Sequence, residues 1–108
     1  MSNFTYAPAV LPCGPAQTVT YTGSAVQSTA AFPPSAGALY VWATTAAFVQ
    51  PSNAVVTQLA TNQSIPLAPN TPVVIPLQPG FNDGQVKISA IQAATTSGLL
   101  FALPVQAQ

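Results

Sequence analysis

Hydrophobic and polar residues alternate along this chain in short runs, and turn-forming residues break the runs about every eight to twelve positions. Gln17-Thr18-Val19-Thr20-Tyr21-Thr22 sets Thr against Val and Tyr with a period of two, the pattern of a half-buried strand, and Gly23-Ser24 closes it. Ala25 to Phe32 reads as a second strand, stopped by Pro33-Pro34-Ser35-Ala36-Gly37. Ala38-Leu39-Tyr40-Val41-Trp42-Ala43-Thr44 is the clearest strand, because aromatic and β-branched side chains favour a pleated surface. Thr44-Thr45-Ala46 is a tight connection into Ala47-Phe48-Val49-Gln50, which Pro51-Ser52-Asn53 ends.

Ala54 to Ala60 fits a short helical turn as readily as a strand, since Val55, Val56 and Leu59 would share a helical face. Ser64 to Ala68 resumes an extended pattern, and Pro69-Asn70-Thr71 turns it. Pro72-Val73-Val74-Ile75-Pro76-Leu77 predicts an edge or terminally paired strand, because each proline removes a ladder donor. Gln78-Pro79-Gly80 predicts a turn with proline at its second position, and Asn82-Asp83-Gly84 a further hairpin-type turn. Gln85 to Ile91 alternates again, and Thr95-Thr96-Ser97-Gly98 precedes a final strand, Leu99 to Val105.

About seven or eight short strands at this spacing predict an all-β protein, an antiparallel β-sandwich or small jelly roll, with no helix longer than two turns. Periodicity does not encode the strand order. Residues 1–16 predict an extended, proline-containing arm, and 17–108 a single β-sandwich domain. The arm carries the candidate interface residues Phe4, Tyr6, Pro8, Val10, Leu11 and Pro12, whose apolar groups need burial on a neighbouring subunit or on the chain's own sandwich.

Charge changes the picture more than anything else in the composition. The 108 residues hold one Lys or Arg, one Asp or Glu and no His, so 2% of the chain is charged, against about a quarter in an ordinary soluble domain. Proteins stay apart through like-charge repulsion and charged hydration, and a chain without them is disposed to assemble through Thr, Ser, Gln and Asn contacts that avoid the desolvation cost of buried charge. The chain is 49% hydrophobic, yet no apolar run approaches the roughly 20 residues of a membrane-spanning helix. No basic n-region precedes an apolar core at the N-terminus, which predicts a protein made and used without secretion.

The residue inventory argues against enzyme chemistry. Acid–base catalysis needs a group titrating near the working pH, and the only side-chain carboxylate, Asp83, sits in a turn sequence that favours Asn, Asp and Gly for backbone reasons. Lys87 can pair loosely with Asp83 or lie at the surface. Cys13 has no histidine to raise its thiolate fraction and reads as a small apolar side chain, with an intersubunit contact as the alternative. No catalytic residue, metal site or cofactor is expected. Phosphate-backbone binding draws on Lys and Arg, which argues against nucleic acid as a partner, and Tyr21, Tyr40 and Trp42 read as core or sheet-face residues.

Ala38 to Thr45, Ala47-Phe48-Val49, Pro66-Leu67-Ala68-Pro69-Asn70-Thr71, Pro79-Gly80 and Ser97-Gly98-Leu99-Leu100-Phe101 together form a strand-turn-strand cadence that resembles the small β-sandwich virion proteins of tailed bacteriophages, over about residues 17 to 105. The resemblance implies a capsid decoration or cement protein, a homo-oligomer for which a trimer is plausible, located in the virion with capsid or other virion proteins as partners. A carbohydrate- or receptor-binding module of a fibre, a self-assembling sheath or lattice protein, and a head-tail accessory protein are the alternatives.

Overall fold

A computed structural model describes residues 11–106, and they form nine β-strands. In chain order these are β1 (Leu11–Pro12), β2 (Gln17–Tyr21), β3 (Val26–Gln27), β4 (Ala38–Ala43), β5 (Ala47–Ser52), β6 (Ile65–Leu67), β7 (Val73–Pro76), β8 (Lys87–Gln92) and β9 (Gly98–Gln106). One sheet runs β2-β9-β4-β7, with β1 continuing the β2 edge along the long β9, and the other runs β3-β8-β5-β6. Every strand pairing is antiparallel.

The order follows a simple rule. β5 pairs β6, β4 pairs β7, β3 pairs β8 and β2 pairs β9, as in one long hairpin, and the added pairs β4–β9 and β5–β8 wrap that hairpin into two sheets. This is jelly-roll order, the more specific of the two arrangements that the strand pattern allowed.

The alternation seen in the sequence sets the inner face. Val19 and Tyr21 on β2, Leu39, Val41 and Ala43 on β4, and Leu100 and Ala102 on β9 are buried and face Val49, Ile88 and Ala90 of the opposite sheet. Polar residues alternate outward on β2, where Thr18 and Thr20 are exposed. The predicted edge strand is β7, at the end of its sheet, and the Gln78-Pro79-Gly80 turn closes with the Phe81 N–H on the Gln78 carbonyl at 2.9 Å, Gly80 taking φ +85°.

Three sequence expectations are corrected. The strand expected over Ala25 to Phe32 shrinks to β3, because the Ser28 hydroxyl accepts the Ile88 N–H at 3.2 Å and so takes a ladder position that a carbonyl would hold. Ala54 to Ala60 is neither strand nor helical turn: the Asn53 side chain accepts the N–H groups of Val55 and Val56 at 3.0 and 2.6 Å and folds the backbone locally. Asn82-Asp83-Gly84 turns the chain between the two sheets, from β7 to β8, and does not close a hairpin.

The loop after β5 then crosses the outer side of its own sheet. Ala60 is buried, and its N–H donates to Ser89 Oγ at 2.8 Å, while the Ser89 hydroxyl donates to the Gln50 carbonyl at 3.2 Å. Ser89 therefore lies on an outward strand position and is still fully buried. The outer face of the other sheet keeps exposed side chains on its strands, Thr18, Thr20 and Val74 among them.

Candidate interaction surface

Strands β4 and β9 lie side by side, and their outward residues come into register. Trp42 stands opposite Phe101 and Tyr40 opposite Leu103. The Trp42 and Phe101 rings stack with centroids 4.6 Å apart and planes 24° from parallel, a favourable cross-strand aromatic pair. On the neighbouring strands the same face continues through Thr18, opposite Phe101, and Val74, opposite Tyr40. Val74 is 43% exposed, and Tyr40, Trp42, Phe101 and Leu103 are half-buried.

Tyr40, Trp42, Phe101 and Leu103, with Ala16 and Ala102, line a shallow depression of about 250 Å³. Among the described residues, the Tyr40 hydroxyl and the Trp42 indole N–H are the polar side-chain groups in its lining. The arrangement can pack against another apolar surface, and it offers little to orient a polar ligand.

A larger groove of about 490 Å³ opens where the edges of β6 and β7 come together. Ile65, Ile75, Leu77 and Phe81 form its apolar floor and continue into the core, with Gln50, Gln63 and Gln78 at the rim. A third depression, about 340 Å³, is bordered by Gln27, Ser52, Gln85 and Lys87, and among the described residues the lysine is its only ionisable group.

Of the proposed interface residues, Phe4, Tyr6, Pro8 and Val10 lie outside the described residues. Leu11 and Pro12 form β1, paired with Gln106 and Val105 of β9, so this end of the expected arm is part of the sheet. Tyr21 belongs to the core, its hydroxyl bound at Thr45, whereas Tyr40 and Trp42 are on the sheet surface. Asp83 uses one carboxylate oxygen on the Ala54 N–H at 3.1 Å and the other on the Gln85 N–H at 2.9 Å, the backbone-shaping role that its turn sequence suggested. Cys13 is half-buried, and its N–H donates to the Pro104 carbonyl at 3.0 Å.

Sequence reading named Phe101 only within the Ser97 to Phe101 cadence and did not mark it or Leu103 as a surface residue. Their signal was the alternation of the last strand, which could have marked them as the outward set once Leu100 and Ala102 were placed inside. Compared with models of known families, with curated proteins and with solved structures, the chain shows no match.

Proposed function

We propose that this chain is a non-enzymatic structural subunit of a virus or phage particle, a capsid decoration or cement protein that bridges neighbouring virion proteins through uncharged contacts. The observation that carries the reading is the outer face of β4 and β9, where stacked Trp42 and Phe101, with Tyr40 and Leu103, make an apolar surface whose lining holds no charged group. The jelly roll is a fold that capsid proteins use, which fits the reading, although lectins use it too and fold alone does not assign function. Burial of that face needs no charge pairing, so binding rests on contact area and shape.

The test is retention on the particle. Bound protein is expected to stay in place when salt is raised from about 0.05 M to about 1 M, because neutral contacts are not screened. Trp42→Ala is expected to release it at either salt concentration. Release of the wild-type protein by salt alone would refute the neutral interface.

A carbohydrate-binding module of a fibre is the second reading, and it draws on the surface position of Tyr40 and Trp42. The scarcity of hydrogen-bonding side chains in the depression weighs against it, since sugars are held by several polar groups beside an aromatic ring. Calorimetric titration with neutral oligosaccharides separates the two: saturable heat that Trp42→Ala abolishes would favour the fibre module.

A further inference from the structure

Exposed strand edges invite pairing with other chains, and most edges of this sandwich are blunted by proline. The Leu77 N–H donates to the Gly37 carbonyl at 3.0 Å, which makes Leu39–Ile75 and Val41–Val73 the hydrogen-bonded pairs of β4 with β7. In an antiparallel ladder the intervening residues turn their backbone groups outward. On β7 these are Val74 and Pro76, with Pro72 next in the series, so one N–H remains in three outward positions.

The other edges follow by the same alternation. The Ala93 N–H on the Ala46 carbonyl turns Phe48 toward β8, leaving Pro66 as the outward residue of β6. The Cys13 N–H on the Pro104 carbonyl leaves Pro12 outward on β1. Pro12, Pro66, Pro72 and Pro76 are all exposed. β3 is only two residues long.

β2 is the exception. With Pro104 facing β1, the even-numbered residues Leu100 and Ala102 bond β2 through Val19 and Gln17, so Thr18 and Thr20 direct their N–H and C=O groups outward. Both residues are exposed, and among the described residues no strand pairs with this edge. It has no proline and no charged residue, while the chain's single lysine lies in β8 of the other sheet.

We propose that the β2 edge is the self-association site of this protein, pairing with β2 of a second copy across a two-fold axis at Val19. Thr18 then stands opposite Thr20 of the second copy, and by symmetry the reverse, so both outward positions of each strand find hydrogen-bonding partners in one register. Val19 stays on the inner face in both copies, and the threonine side chains pair on the outer face, a favourable cross-strand combination. The charge balance favours a like partner: two neutral edges meet without the repulsion that lysine-bearing edges use to stay apart. The dimer joins the two β2-β9-β4-β7 sheets into one and makes their aromatic outer faces continuous. The trimer implied by the resemblance would need a different surface. This inference stands apart from the particle role, because pairing is measured on the purified protein.

Amide hydrogen exchange of the full chain at two concentrations tests it. The Thr18 and Thr20 amides are expected to gain protection as concentration rises, with the mass moving from one copy to two in sedimentation. Thr20→Pro removes two of the four intermolecular bonds and no bond to β9, and is expected to weaken the dimer about ten- to a hundredfold with an unchanged circular dichroism spectrum. Should Thr20→Pro disturb the fold, the double variant Thr18→Lys, Thr20→Lys is expected to dissociate the dimer through like charge. Protection that does not change with concentration would mean that the chain covers its own edge, and would overturn the proposal. So would a wild-type protein that stays monomeric, or a dimer that a folded edge variant leaves intact.

Discussion

Replacing Tyr21 by Phe would remove a single oxygen from the place where the edge of one sheet is fastened to the crossover into the other. The ring is fully buried, so its apolar packing is kept. The phenol donates to the Thr45 carbonyl at 2.8 Å, accepts the Thr45 N–H at 3.2 Å, and lies 2.6 Å from Thr45 Oγ1. A phenol has one proton, so if that proton goes to the carbonyl, the oxygen accepts from both the amide and the threonine hydroxyl. A neutral hydrogen bond contributes about 1 kcal/mol net, and a buried group left without a partner costs about 1–3 kcal/mol. Thr45 is half-buried, so water can reach part of what is exposed, and the expected loss is about 2 kcal/mol. For a domain of this size that lowers Tm by about 8–16 °C. Urea unfolding followed by Trp42 fluorescence measures it well, because that residue lies on the outer face, away from the change. The midpoint should fall with the m-value unchanged. A loss below about 0.5 kcal/mol would show that the fastening at Thr45 adds nothing beyond ring burial.

Gly98 faces the same cluster, where an added Cβ would lie 2.6 Å from the hydroxyl oxygens of Thr44 and Thr45 and 2.7 Å from that of Tyr21. Gly98→Ala is therefore expected to cost about 1–3 kcal/mol in urea unfolding by overpacking. Asn82 donates to the carbonyls of Pro33 and Ala36 at 3.0 and 2.8 Å, and Asn82→Ala should lose about 1–3 kcal/mol by the same assay, because the Ala36 carbonyl loses its donor and the Pro33 carbonyl keeps only the Ala36 N–H. Phe101→Ala uncovers one face of Trp42, so acrylamide should quench the tryptophan more strongly while the unfolding midpoint moves little. Pro76→Val restores an outward donor to β7, and size-exclusion chromatography is expected to show association beyond that of the wild type.

The fold class was legible because short runs, alternating as in Thr18-Val19-Thr20-Tyr21 or apolar and β-branched as in Ala38 to Ala43, are broken by turn residues, and the prolines at 72 and 76 marked β7 as an edge. Where the reading failed, a side chain replaced the backbone. The hydroxyl of Ser28 ends β3, and the amide of Asn53 folds the segment after β5, where Val55 is left 84% exposed. Neither event disturbs the apolar pattern, so periodicity passes over both. The burial of Ser89 was hidden for a related reason: its cover comes from Ala60, which is distant in sequence. The candidate surface was half legible. Tyr40 and Trp42 stood out by type, but their stacking and apolar neighbours depended on the register of β4 with β9, and that register belongs to the jelly-roll order.

That order also explains how a chain almost without charge can limit its own association. A sandwich exposes strand edges whatever its sequence, and lysines are the usual means of keeping them apart. Here proline takes over that task, because it removes the donor without adding a charge that any later interface would have to desolvate. The device works only where the residue faces outward, and Pro12, Pro66 and Pro76 each occupy such a position on a different strand. Of the five prolines within strands these three block outward positions, whereas Pro51 and Pro104 lie in the inner strands β5 and β9. The unblocked edge at β2 then gains its meaning from the blocked ones, as the direction in which pairing is left available.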